Sequence, residues 1–279
     1  METVLSIAGS DPTGGAGVQA DLQVFGSLGC HGAGVVTAVT VQDTVGVRAV
    51  HALPPEWVGE QLACLLGDVA VSAVKTGMLG SAAVVEAVCE ALESHPRPPL
   101  VVDPVLASTG GHPLLEEAGL EALRTRLLPR ATLVTPNLAE AEALTGREVR
   151  TPDQMRDAAR QLLDFGVGAA LVKGGHLPGA PIDVLASGGD VWELAGSRTA
   201  LERGVHGTGC ALASAAAVFL ARGLSVSDAV SHARAYVASG LRAARPLGAG
   251  QAVLDFRAAA QNQQGLPEGS PCGPCADGS

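Results

Sequence analysis

Short apolar runs recur along the whole chain, and most are followed by a stretch of helical periodicity. Val4 to Ala8, Gly34 to Val41, Ala73 to Lys75, Leu100 to Val102, Thr132 to Val134 and Ala169 to Val172 are dominated by small, β-branched or leucine side chains. Helical spacing fills the intervals, from the Gly-rich turn after Ser10 to about Phe25 and over 55–66, 82–92, 115–128, 138–145 and 152–164. Another short run covers 45–51, and a hairpin is expected over 182–187 and 190–195 about Gly188-Gly189-Asp190. The last third reads as helices 208–222, 226–244 and 251–260. Such alternation implies an α/β fold, a mainly parallel central sheet with helices on both faces. One three-layer domain over 1–260 is expected, followed by a disordered tail over 261–279 that is rich in Gly, Pro and Ser. Ligands of such sheets sit beyond the carboxyl ends of the strands, so the residues that follow strands carry the most functional information.

Composition works mainly by exclusion. The 279 residues carry a formal net charge of −10, and only 3% are aromatic. That leaves neither the basic footprint of a nucleic-acid binder nor the aromatic platforms that stack single strands. The longest nearly apolar stretch, Ala211 to Ala221, falls well short of the ~20 residues of a membrane span. No basic leader follows Met1, so a soluble, cytoplasmic protein is the expectation. Four scattered cysteines, 30, 64, 89 and 210, read as reduced thiols, and Cys272-Gly-Pro-Cys275 copies a redox dithiol without the flanking strand and helix. Only two of the 18 basic residues are lysines, Lys75 and Lys173. Each ends an apolar run close to a glycine, a placement that suits a compact ammonium held in a site.

Two nucleotide signatures are absent. No Gly-Lys-Ser/Thr occurs, and the first turn, Gly9 to Gly17, lacks the third glycine and the downstream acidic residue of a dinucleotide fold. The strongest motif is His206-Gly-Thr-Gly-Cys210 ahead of a helix. Glycines there let backbone N–H groups converge into an anion site aided by the helix dipole, whose field would also lower the Cys210 pKa. A tight turn with a buried cysteine explains the same residues equally well. Asn137 and Glu140 in Thr135-Pro-Asn-Leu-Ala-Glu140 share a helix face and could organise Mg²⁺, although the pattern is foremost that of a capping box. Asp103 closes a strand and could face metal or water, or begin an Asx turn. Lys173 could reach phosphate oxygens or snorkel to solvent. Asp21, Gln42 and Met78 follow successive strands and could together bind a flat heterocycle.

In this order, Ala8 to Asp21, Thr37 to Gln42, Val74 to Met78, Val101 to Val105, Thr135 to Glu142, Val172 to His176 and His206 to Cys210 resemble the ribokinase superfamily. Within it they are most similar to the hydroxymethylpyrimidine/phosphomethylpyrimidine kinases of thiamin biosynthesis, over about residues 3–245. The resemblance implies ATP-dependent phosphorylation of an aminopyrimidine, then of its monophosphate. Asp21 and Gln42 would hydrogen-bond the ring, with Met78 and Val105 lining its pocket. Gly207, Thr208 and Gly209 would hold the transferring phosphoryl group, and Cys210 would take the substrate proton. Asn137, Lys173 and Thr208 would contact ATP, while Glu140 and Asp103 would organise Mg²⁺. Relatives of this kind are commonly homodimers. Thr109-Gly-Gly-His112 and Val205 depart from the family pattern. Pyridoxal kinase is the rival implied by the same motifs, and a non-catalytic pyrimidine-binding regulator is a third reading.

Overall fold

The computed structural model describes residues 1–261 except 109, 112, 176, 178 and 199–202. The chain runs β1 (Thr3–Ser10), α1 (Gly17–Ser27), β2 (His31–Gln42), β3 (Val47–Ala52), α2 (Pro55–Asp68), β4 (Ala73–Thr76), α3 (Ala82–Glu93), β5 (Leu100–Val102) and α4 (Glu117–Ala122). Next come β6 (Leu133–Val134), α5 (Leu138–Thr145), α6 (Pro152–Asp164), β7 (Ala169–Val172), β8 (Ile182–Ser187) and β9 (Asp190–Ala195). It closes with β10 (Val205–His206), α7 (Thr208–Ala221), α8 (Val226–Arg242), β11 (Arg245–Pro246), β12 (Ala252–Val253) and α9 (Phe256–Gln261). Nine strands form one sheet in the order β3-β2-β1-β4-β5-β6-β7-β8-β9. The run from β2 to β7 is parallel, and antiparallel strands β3, β8 and β9 complete the two edges.

The period-two alternation of strand side chains divides the apolar residues between two cores. Leu5, Ile7, Val74, Leu100, Val102, Val134 and Val172 point to one face, where α2, α3, α5 and α6 cover them. Val4, Ala73, Val101, Leu133 and Leu171 point to the other, under α1, α7, α8 and α9. Continuing that alternation by two residues sends Lys75, Asp103 and Lys173 to the α7 side, at the carboxyl ends of their strands. Register alone thus gathers two ammonium groups and a carboxylate beneath the start of α7. The three-layer α/β arrangement matches the expectation.

Three boundaries differ from it. The expected helix over 115–128 is α4 followed by a π-turn at Leu123–Leu127 and a 3₁₀ turn at Leu128–Arg130, where Pro129 cannot continue an α-helix. The helix expected to reach 244 ends at Arg242. The helix expected over 251–260 begins only at Phe256, because Asp255 Oδ1 accepts the N–H groups of Arg257 and Ala258 as a cap. Residues 252–253 instead form β12, which pairs with β10 and β11 in a small second sheet. This sheet anchors His206, immediately before the Gly-Thr-Gly turn. The cysteine pair of the tail, at 272 and 275, lies outside the described residues.

Candidate active site

The carboxyl ends of β1, β2, β4, β5 and β7 open onto a cleft of about 880 Å³. Its middle is the N-terminus of α7. The N-cap Gly207 sits at φ 80° and supplies no side-chain cap, so the first-turn N–H groups keep their donors for a ligand. A Cβ on Gly207 would lie 1.7 Å from the Gly15 carbonyl oxygen, so no larger residue fits there. A Cβ on Gly209 would lie 3.1 Å from Lys173 Nζ, which places that ammonium directly beside the turn. Gly207, Thr208, Gly209 and Cys210 all line the cleft. Backbone N–H groups, a helix dipole and a lysine converge there, the ingredients of a site for a transferring phosphoryl group.

On one side of this turn the cleft is lined by Gln42, Met78 and Val105, a polar amide between apolar walls at the scale of a small heterocycle. On the other side Lys173, Asn137 and Gly175 lead to Asp183, Arg234 and the Ala195–Arg198 segment. Arg234 Nε donates to Asp183 Oδ2 at 2.8 Å, and Asp183 Oδ1 accepts Gly174 N–H at 3.0 Å. This bracket fixes the loop that carries Lys173 and was not legible in the sequence, because its members are scattered and individually ordinary.

Asp21 departs from its expected place. It is fully buried behind the cleft, where Oδ1 and Oδ2 receive Lys75 Nζ at 3.0 and 2.8 Å, Ser214 Oγ at 2.7 Å and Ser6 Oγ at 2.5 Å. Four hydrogen bonds from three donor groups satisfy the carboxylate, so it has none of its capacity left for a ring. Instead it joins β1, α1, β4 and α7, bracing the helix one turn beyond Cys210. Lys75 is itself wholly buried yet lines the cleft. Burial opposes its charge, but the Asp21 carboxylate more than restores it and holds its pKa above the ordinary value.

The expected depression of the Cys210 thiol is also overturned. Burial pushes it up to about 11, with Asp103 and Asp21 adding to the rise, although Lys75 and a hydrogen bond from Gly17 N–H oppose it. The thiol is therefore protonated at neutral pH. Desolvation outweighs the pull of Lys75 and of the Gly17 N–H.

Asn137 and Glu140 form the capping box that their spacing suggested: Glu140 N–H donates to Asn137 Oδ1 at 3.0 Å, and Asn137 N–H to Glu140 Oε2 at 2.7 Å. Asn137 also lines the cleft, so cap and ligand contact are compatible. Burial lifts Glu140 to about 7, with Asp103 adding to the rise and Lys173 opposing it. Asp103 accepts from Lys173 Nζ at 3.0 Å and Thr135 Oγ1 at 3.2 Å. Despite burial, Lys173 and Lys75 hold the Asp103 carboxyl below its usual value. Among the described residues no three His, Cys, Asp or Glu side chains group to hold a metal. The donors that are present, the ionised Asp103 carboxylate and the Glu140 carboxyl, are hard oxygens that fit a cation drawing its other ligands from phosphate and water.

Two contributors were missed outright. Asp11 organises the first glycine turn, accepting Thr13 N–H at 2.9 Å, Thr13 Oγ1 at 3.0 Å, Ala16 N–H at 2.9 Å and His206 Nε2 at 3.0 Å. Burial opposes its charge, but His206 and Thr13 hold the carboxyl below its usual value. The signal was the Asp-Pro-Thr-Gly-Gly run itself, whose Asx-turn chemistry went unused. His206 was read only as part of its motif, and its partners lie far away in sequence. Thr109, His112 and His176 fall outside the described residues.

The family model for phosphomethylpyrimidine kinase matches residues 11–255. The chain belongs to the phosphomethylpyrimidine kinase family. A hydroxymethylpyrimidine/phosphomethylpyrimidine kinase of Streptomyces coelicolor is 48% identical over 90% of this chain and 93% of its own. The thiamine biosynthesis bifunctional protein ThiED of Geobacter sulfurreducens is 42% identical over 93% of this chain, which spans about half (53%) of that longer protein. Among solved structures, pyridoxal kinase from Staphylococcus aureus in complex with AMP-PCP and pyridoxal superposes with a TM-score of 0.85 at 34% identity, covering 92% of this chain and 94% of that one. Phosphomethylpyrimidine kinase from Clostridium difficile superposes with a TM-score of 0.76 at 36% identity, covering 86% and 100%. The sequence resemblance and the fold agree: this member of the phosphomethylpyrimidine kinase family is a kinase on a ribokinase-like scaffold.

Proposed function

We propose that this chain transfers the γ-phosphoryl group of ATP to 4-amino-5-hydroxymethyl-2-methylpyrimidine and then to the resulting monophosphate, giving the diphosphate used in thiamin biosynthesis. The observation that carries this reading is the Gly207-Thr208-Gly209-Cys210 turn at the centre of one cleft, with Lys173 beside it and Gln42 across it. The ring would lie between Met78 and Val105 against Gln42, with its hydroxymethyl group directed at Cys210. The phosphate chain of ATP would follow Thr208, Lys173 and Asn137 toward the Asp183 end. Phosphoryl transfer asks mainly for positioning and charge neutralisation, which these groups supply.

Mg²⁺, held through Asp103 and Glu140 with phosphate oxygens and water, would neutralise charge on the transferring group. The chain's own part is to keep Asp103 ionised and Lys173 charged beside it. Proton transfer to Cys210 needs the thiolate, which its raised pKa makes scarce. Cys210 must therefore give its own proton to solvent before it can take that of the substrate hydroxyl, and a loose transition state, in which that hydroxyl stays protonated until late, asks little of the base. A homodimer in the cytoplasm completes the proposal; among the described residues no helix is long and apolar enough to cross a membrane.

The second reading, a pyridoxal kinase, draws on the superposition with the Staphylococcus aureus enzyme. Purified protein with ATP and Mg²⁺, offered hydroxymethylpyrimidine, its monophosphate and pyridoxal in parallel, separates the two by product mass. Diphosphate from both pyrimidines supports the first reading. Turnover of pyridoxal alone supports the second.

A further inference from the structure

The hydrogen bonds around Gln42 conflict as they stand. Its Nε2 lies 3.0 Å from His206 Nε2, which in turn lies 3.0 Å from Asp11 Oδ2. An ionised Asp11 only accepts, so His206 Nε2 carries a hydrogen and faces the Gln42 amide nitrogen donor to donor. At the other end Gln42 Oε1 lies 3.3 Å from Thr40 Oγ1, whose single hydroxyl hydrogen goes to the Ser10 carbonyl at 2.9 Å. That contact sets acceptor against acceptor. A half-turn of the amide about its last torsion exchanges two atoms of nearly equal size and removes both conflicts: Nε2 donates to Thr40 Oγ1, and the one hydrogen on His206 Nε2 is shared between Asp11 Oδ2 and Gln42 Oε1 as a three-centre bond.

We propose that His206, held by Asp11, is a positioning residue that locks the Gln42 amide in the half-turned sense, with Oε1 toward His206 and Nε2 toward Thr40. This rests on the substrate reading above and deepens it. The second hydrogen of Nε2 and the second lone pair of Oε1 then give the cleft a sorted edge, donor beside Thr40 and acceptor beside His206. A carboxamide of fixed sense pairs with a ring nitrogen adjacent to an exocyclic amino group, as glutamine does with adenine. The substrate class it selects is an amino-substituted heterocycle with that amidine edge. Pyridoxal, with a hydroxyl and an aldehyde on adjacent carbons, gains less from it.

The amide sense is tested on the unaltered protein by ¹H–¹⁵N NMR with labelled glutamine. Cross-peaks from the Gln42 amide protons to the Thr40 side chain are expected, and cross-peaks to the His206 ring instead overturn the assignment. The role is tested kinetically with His206→Leu, which cannot donate, His206→Gln, which can, and Thr40→Val, which lies apart from the phosphate turn. His206→Leu and Thr40→Val should raise KM for the pyrimidine about threefold to tenfold, leaving kcat and KM for ATP within about twofold. His206→Gln should restore most of the loss. Equal losses in kcat and in both KM values would show a merely structural role and overturn the proposal. If the unaltered enzyme does not use the pyrimidine at all, the substrate reading fails while the NMR result on the amide stands by itself.

Discussion

Two buried charged clusters dominate at the scale of single residues, and they behave differently. Asp21 and Lys75 are completely enclosed and their carboxylate is saturated with donors. Removing one partner of such a pair strands the other without solvent. Asp21→Ala is expected to cost about 3–5 kcal/mol in urea unfolding, and the double variant with Lys75→Met to recover much of it. A single-variant loss below about 1 kcal/mol would contradict this role. Glu140 presents the opposite case. Its carboxyl is raised to about 7, chiefly by burial, from 4.5 in the unfolded chain, so the unfolded state ionises first. The stability it contributes is full below about 4.5 and is lost as pH rises through about 7. Glu140→Gln keeps a neutral acceptor for the cap and should be more stable than the parent by about 1–3 kcal/mol near pH 8, with no advantage at pH 4. An advantage that does not change with pH would count against the shift.

Among elements, α5 and α7 begin in different ways because their N-termini have different work. The capping box of α5 uses side chains to satisfy the helix, and Asn137→Ala should cost about 1 kcal/mol in thermal unfolding, together with a raised KM for ATP. Loss of stability without any change in that KM would restrict Asn137 to capping. The α7 start has no side-chain cap and leaves its donors to the cleft. The sequence revealed both elements because their signals are local: Ser/Thr/Asn with Glu three residues on, and Gly-Thr-Gly before an apolar run. It also revealed the sheet, since apolar runs such as Ala169 to Val172 are buried on both faces and have no other stable use. It did not reveal β10, β11 and β12, which are two residues each and owe their pairing to a tertiary contact. Nor could it place Asp21, whose partners Ser6, Lys75 and Ser214 come from three other elements, or show that desolvation would raise the Cys210 pKa against the pull of Lys75.

The whole molecule can be understood as one sheet whose alternating side chains feed two cores and whose carboxyl edge collects what remains polar. The proposed substrate and nucleotide ends of the cleft are bridged by a single turn, so the proposed chemistry concentrates on Cys210. Its protonated state in the free protein predicts that kcat/KM rises with pH above about 8, as thiolate becomes populated below a pKa of about 11. A flat profile over that range would remove the thiol as proton acceptor. The most direct measurement is Cys210→Ala, with turnover of both pyrimidines followed by product mass and pyrimidine affinity by calorimetry. The account predicts turnover lost and binding largely retained. Unchanged turnover would contradict it, and would move the reacting centre away from the Gly-Thr-Gly-Cys turn.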